Sequence, residues 1–346
     1  MHTLDHRHVG MLIHKFKEEE LFGRWITLDH IQRTFDKHLQ NGVMINDIGR
    51  SEKDRPIYEL SFGTGAVKVL IWTQMHGNES TGTKAVFDLL NYLQSNDLFA
   101  QMITKEITLK IIPILNPDGA QQYTRKNANE IDLNRDAVER VAKESRVLRQ
   151  RLDHFQPDFC FNMHDQRTIF GVSGTKNPAT ISFLAPSEEE TRKVTANRKK
   201  AMHVIVAMNE ILQQIIPNHI GRYTDQFFPN ATGDHFQKLG FPTILVESGH
   251  YAEDYDRKIT RSYTFVGLLS GLNYIASRYQ NDHNAYFEIP NNQENFRDVL
   301  HKYYDKEDEA FQYKEVLENG RIKIVPIPVK EKIFQLYFHK EIVFVS

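Results

Sequence analysis

Val67-Lys-Val-Leu-Ile-Trp72, followed closely by His76-Gly-Asn-Glu79, is the stretch that decides how this chain folds. The apolar run reads as a buried strand. From about Thr83 the pattern turns helical, with Ala85, Val86, Leu89, Leu90 and Leu93 on one face. An imidazole and a carboxylate three residues apart, where a strand breaks toward a helix, can close on one metal ion from two sides. Zinc accepts such mixed nitrogen and oxygen ligands, and a hydrolytic zinc site takes three protein ligands and keeps a fourth position open. His-x-x-Glu alone recurs by chance in many chains, so its weight depends on what the rest of the sequence adds.

Two further apolar runs end in residues of the same chemistry: Phe159-Cys-Phe-Asn-Met163 before His164, and Phe241-Pro-Thr-Ile-Leu-Val246 before Glu247. Ile107–Leu115 is another strand, stopped by the turn signal Asn116-Pro-Asp-Gly119. Helical patterns over 136–153, 187–216 and 257–277 alternate with these runs, and Glu188-Glu-Glu190 after Pro186 and Ser187 reads as a helix N-terminus. The alternation predicts an α/β fold with a mixed, mostly parallel sheet covered by helices on both faces. In open α/β sheets the carboxyl ends of the strands meet at one edge, where ligands bind, so His76, His164 and Glu247 are expected to converge.

Ile57–Phe62 and Val67–Thr73 read as a hairpin around Gly63-Thr-Gly65. A phosphate-cradling loop is excluded there, because no Lys-Ser/Thr and no helix follow directly. Residues 1–40 are polar and mostly helical in pattern, with Leu28, Ile31, Phe35 and Leu39 at spacings of three and four. After residue 279 the texture changes. Residues 280–314 are polar with a charge run near Asp305–Glu309, and Ile322–Ile327 and Ile333–Val345 read as short strands. The expected organisation is a main domain over 1–279 and a small C-terminal appendage of β character over 280–346.

With 346 residues, 40% hydrophobic and 25% charged, the chain can bury a substantial core and has the balance of a soluble globular protein. A formal charge of −2 gives no electrostatic case for nucleic acid or an anionic membrane surface. No apolar run approaches a membrane span. The opening Met-His-Thr-Leu-Asp-His-Arg-His lacks the pattern of a secretory signal, and the single cysteine, Cys160, cannot form an internal disulfide. The expected location is the cytoplasm.

Taken in order, His76-Gly-Asn-Glu79, Asn116-Pro-Asp-Gly119, Asp132-Leu-Asn-Arg135, His164 at a strand end and Gly240-Phe-Pro-Thr-Ile-Leu-Val-Glu247 resemble the zinc carboxypeptidases of the funnelin type. Their core is shared with the aspartoacylase and succinylglutamate desuccinylase branch. The resemblance spans roughly residues 55–275. It implies one zinc ion per chain held by His76, Glu79 and His164, with Asp132 orienting His76. It implies Glu247 as the general base, Arg125 as the holder of the oxyanion, and Asn134 and Arg135 as the grip on a substrate carboxylate. The substrate it implies is a peptide cut at its C-terminal amide bond, or alternatively an N-acyl amino acid. A module that kept the fold and lost activity would lack a ligand or the base, and none is missing. Tyr223 and Tyr251 compete for the place of a substrate-contacting tyrosine. The spacing from Glu79 to His164 is compact, closer to the deacylase branch.

Four features read more simply. The cluster His2, His6 and His8 reads as a solvated start rather than a metal site. Asn230 begins a formal glycosylation sequon without a secretory signal to support its use. Cys160, inside an apolar strand, reads as an inert buried thiol. Arg135 could instead pair with Asp132 or Asp136, and Lys126 could serve in place of Arg125.

Overall fold

The computed structural model describes residues 6–277, 281–330 and 333–344. The strands are β1 (Met44–Arg50), β2 (Pro56–Phe62), β3 (Val67–Trp72), β4 (Ile107–Ile112), β5 (Phe159–Asp165), β6 (Phe170–Val172), β7 (Ile181–Leu184), β8 (Ile220–Arg222), β9 (Thr243–Ser248), β10 (Asn292–Glu294), β11 (Phe296–Tyr303), β12 (Glu309–Glu318), β13 (Arg321–Pro328) and β14 (Tyr337–Phe344). The helices are α1 (His6–Lys15), α2 (Leu28–Gln32), α3 (Phe35–Gln40), α4 (Thr81–Leu93), α5 (Leu98–Glu106), α6 (Pro117–Gln122), α7 (Lys143–Phe155), α8 (Ala196–Ile215), α9 (Thr232–Lys238) and α10 (Lys258–Ser277). An eight-stranded sheet in the order β1-β2-β4-β3-β5-β9-β7-β8 forms the centre. Its middle strands β4, β3, β5 and β9 run parallel, while β1, β2 and the β7–β9 pairing are antiparallel.

The apolar runs are strands because both of their faces are covered. Successive side chains of a strand point to opposite faces. Val69 and Ile71 of β3 and Phe161 and Met163 of β5 pack in one core with α4, α8 and α10. Leu70, Trp72 and Cys160 pack in a second core with α7 and with Phe236 of α9. Cys160 is fully buried, and burial pushes its thiol far up, as an inert side chain requires.

The residues expected to form a hairpin do not. β2 pairs antiparallel with β4, which lies between it and β3, and the hairpin is β1–β2 instead. A Cβ on Gly65 would stand 1.8 Å from the Glu106 carbonyl carbon. The glycine therefore serves the close passage of the loop over the start of β4, which local alternation could not show. Asn116-Pro-Asp-Gly119 likewise ends a strand but opens α6: the Asn116 side chain accepts from Gly119 N at 2.8 Å, and Pro117 takes a first-turn position. Glu188-Glu-Glu190 precedes no helix. α8 begins at Ala196, capped by the Thr195 hydroxyl, which accepts from Arg198 N. The helix expected from residue 136 begins at Lys143, because the Asp136 carboxylate holds Val141 N and Ala142 N in a loop, each at 2.9 Å. Of residues 1–40, three short helices form; His2 lies outside the described residues, and His6 and His8 fall in α1.

Beyond α10, β11–β14 make a separate four-stranded sheet in the order β13-β12-β11-β14. Two of its strands, β11 and β12, arise largely from the polar segment 280–314, in which no strand was identified from the sequence. Among the described residues no helix is long and apolar enough to cross a membrane.

Candidate metal centre and substrate cleft

His76 and Glu79 sit in the loop that leaves β3, just before α4. That loop lies directly on the start of α6: a Cβ on Gly77 would be 1.9 Å from the Gly119 carbonyl carbon. The Asn116 amide donates to Met75 O at 3.2 Å, tying the two segments together. The two motifs thus form one backbone-to-backbone contact that aims His76 inward. His164 comes from the end of β5, and its register partner on β9 is Glu247. Adjacent parallel strands therefore deliver a histidine and a carboxylate side by side.

The three candidate ligands are buried, and their ligating atoms lie within 4.8 Å of one another. His76 Nδ1 is 2.8 Å from Glu79 Oε1, His164 Nδ1 is 2.8 Å from Glu79 Oε2, and the two Nδ1 atoms are 3.1 Å apart. The other ring nitrogen of His76 faces Asp132 Oδ1 at 3.0 Å, the arrangement that fixes the tautomer of a liganding histidine. Burial works against the Glu79 carboxylate, yet His76 and His164 hold its pKa well below the usual range. Burial also opposes ionisation of Asp132, but the bonds from His76 and Arg125 outweigh it and keep it low. Glu247 is half-buried, and burial together with Glu79 and Asp165 pushes its carboxyl well above the usual range. Among the described residues its side chain has no hydrogen bond or ion pair, which leaves it open to a ligand.

Arg125, in the loop after α6, donates to Asp132 at 3.0 Å and to Glu79 at 3.3 Å. Its rival Lys126 turns to Glu130 at 3.8 Å. Asp132 caps the 3-10 turn Leu133–Arg135, which carries Asn134 and Arg135. The Asn134 amide oxygen accepts from Thr232 N at 3.1 Å, so its amide nitrogen is the group left to donate. Arg135 is exposed, bonds the Asn134 carbonyl at 2.7 Å and lies over Phe228 with 5.8 Å to the ring centre. It pairs with neither Asp132, which His76 and Arg125 occupy, nor Asp136, which holds backbone amides. Tyr223 lines the cleft against Phe170, whereas Tyr251 packs on His219 and Tyr263. All of these candidates except Lys126, Asp132 and Tyr251 border a single cavity of about 690 Å³, and Asp132 stands directly behind His76.

The sequence reading passed over Arg24, Asp165, Arg257 and Glu315, which also border this cavity. Asp165, adjacent to a candidate ligand at a strand end, carried a local signal. The others come from distant segments and carried none.

The family model for zinc carboxypeptidases matches residues 30–211, just over half of the chain. The chain belongs to the zinc carboxypeptidase family. Carboxypeptidase SOL1 of Arabidopsis thaliana is 32% identical over 145 residues, 37% of this chain and 30% of that protein. The probable carboxypeptidase 2 of Arthroderma benhamiae is 30% identical over 100 residues, 28% of this chain and 19% of that protein. The matched stretches thus span under a third of these relatives. Among solved structures, a putative carboxypeptidase of Burkholderia mallei aligns with a TM-score of 0.59 at 16% identity, over 73% of this chain and 69% of that one. The carboxypeptidase A of Helicoverpa armigera gives 0.57 at 16%, over 76% and 75%. At such identities the likeness is one of fold.

Membership in the family implies zinc, and the donor set fits it. Two imidazole nitrogens and a carboxylate are zinc's preferred company, and bonds of about 2.0–2.1 Å at tetrahedral angles place donor atoms roughly 3.3 Å apart. The separations of 2.8, 2.8 and 3.1 Å need open by only a few tenths of an ångström.

Proposed function

We propose that this member of the family is a zinc-dependent carboxypeptidase that hydrolyses the C-terminal amide bond of a peptide. The observation that carries the proposal is the buried His76–Glu79–His164 triad beside Glu247, whose carboxylate makes no hydrogen bond or ion pair among the described residues. Zinc, when bound to the triad, supplies a Lewis acid for the scissile carbonyl and lowers the pKa of water in its open position to about 7.

The other steps belong to the chain's own residues. Glu247, held as a stronger base by burial and by Glu79 and Asp165, takes the proton of the attacking water and returns it to the leaving amine. Arg125 brings a permanent positive charge to the carbonyl oxygen as negative charge develops there. The Asn134 amide and the Arg135 guanidinium donate to the free carboxylate of the substrate, and the planar fork of arginine suits that group. Asp132 holds His76 in one tautomer and one orientation.

The direct test is amino-acid release from dipeptides blocked at the amino end and varied in their last residue. The zinc-loaded protein should release the C-terminal residue from some of them, and a chelator should stop it until zinc is restored. No release from any member of the panel would overturn the proposal.

A further inference from the structure

Two chains of polar contact leave the triad. One runs from His76 through Asp132 to the turn that carries Asn134 and Arg135. The other begins at Asp165, the residue after His164. Arg24 donates to Asp165 at 3.2 Å and, through its other nitrogens, meets Glu315 of β12 at 3.1 Å. Only one guanidinium therefore separates the carboxylate beside a ligand histidine from the C-terminal sheet. Glu315 also accepts from the Tyr123 hydroxyl, two residues before Arg125.

The C-terminal sheet is docked along this second chain by the buried His250 and by partly buried rings. The Tyr255 ring lies 5.1 Å from Tyr313 of β12 and 4.7 Å from His250, which in turn lies 4.1 Å from His339 of β14. His339 Nε2 bonds Thr168 O at 2.7 Å. Tyr313, Glu315 and Ile324 of β13 face the same cavity as the metal triad. At about 690 Å³ this cavity has the size of a site for a small molecule, comparable with a short peptide, rather than that of a groove for a long chain.

We propose that the C-terminal sheet is the wall of the cleft on the amino side of the scissile bond, and that it confines the substrate to short peptides. A carboxylate held at Asn134 and Arg135 places the last residue at one end of the cavity and its amide bond at the triad. The chain before that bond then advances by about 3.3 Å per residue toward Arg24 and β12. A dipeptide or tripeptide ends inside the wall, whereas a longer chain must turn out over it. The inference rests on the peptidase reading for the direction of the substrate.

The test compares amino-acetylated peptides that share one C-terminal residue: a dipeptide, a tripeptide and an octapeptide. Binding to the zinc-loaded protein is measured by calorimetry and hydrolysis by product release. The octapeptide is expected to bind at least about tenfold more weakly than the dipeptide, a difference of about 1.4 kcal/mol. Tyr313→Ala and Ile324→Ala, which shorten the wall, should narrow that ratio at least about threefold. Ile324 is partly exposed, so its variant should fold even if the other does not. Equal binding of long and short peptides by the unaltered protein, or a ratio indifferent to both substitutions, overturns the inference. Length dependence without hydrolysis supports the wall and refutes the peptidase reading. Hydrolysis without length dependence does the reverse, and binding of none of the peptides refutes both.

Discussion

Single residues in this site divide into those that would hold metal and those that would act on substrate, and variants can tell them apart. Glu247→Gln preserves shape and removes the base. Zinc content, read by atomic absorption, should stay near one per chain, while turnover falls at least about a hundredfold, the low end for general acid–base catalysis. His164→Ala should instead lower zinc occupancy. Retained turnover in Glu247→Gln within threefold of the parent, with zinc in place, would refute that role. Among the described residues Arg135 makes no ion pair: it bonds a backbone carbonyl, lies over a ring and acts on the Asp234 carboxylate only through its charge, which leaves its fork able to take a substrate carboxylate. Arg135→Ala should weaken peptides with a free C-terminal carboxylate by roughly thirtyfold or more relative to their amides, since such a contact is worth about 2–5 kcal/mol. Equal losses on both would make it structural. His164 and Glu247 were legible because each stands at the end of an apolar run, whereas Arg135 was legible only through the motif Asp132-Leu-Asn-Arg135 and the family it resembles. Arg24 and Glu315 were not, because their partners are a sheet away in space and 291 positions apart in sequence.

At the scale of elements, the motifs that seemed to be turns prove to be contacts. His76-Gly-Asn-Glu79 and Asn116-Pro-Asp-Gly119 read separately as a ligand pair and a strand stop, but their glycines let one backbone rest on the other. Gly77→Ala should therefore destabilise the protein by at least about 2 kcal/mol in urea unfolding, as overpacking commonly does, and weaken zinc binding as His76 is displaced. A variant as stable as the parent, with zinc affinity unchanged, would show that the loops have room. The same lesson explains the hairpin that did not form. Apolar alternation identified β2 and β3 as strands, yet pairing depends on which neighbour fills the space between them, and β4 does. Strand β11 escaped notice because Arg297 and Asp298, both buried, interrupt its apolar residues, and β12 because exposed positions alternate along its second half, so no continuous apolar run marks either.

Across the whole molecule, buried charge binds the N-terminal segment, α4 and α10 to the strand ends. Arg24, Lys84, Arg257 and Arg261 are all buried, and Asp88 and Asp165 lie among them. Arg261 pairs with Asp88 at 2.5 Å and Arg24 with Asp165 at 3.2 Å, but among the described residues Lys84 forms no ion pair and donates to carbonyls, Gly23 O at 2.6 Å and Asp256 O at 3.4 Å. Burial, with the nearby charges of Arg24 and Arg261, lowers its pKa to about 7. In the unfolded chain the ordinary value is about 10.4. Between those two values the unfolded state binds more protons than the folded one, so stability must rise with pH there, by up to about 1.4 kcal/mol per unit. Below about 7 both states carry the proton and this contribution to the slope vanishes. Lys84→Met, close in volume and without the charge, should be more stable than the parent at pH 7, and the difference should shrink as the pH rises toward 9. Urea unfolding of both proteins across that range reads the effect, and subtracting one curve from the other removes the titration of groups they share. Parallel curves would mean that Lys84 stays charged in the folded protein, and that the carbonyls of Gly23 and Asp256 with the carboxylate of Asp165 compensate its burial.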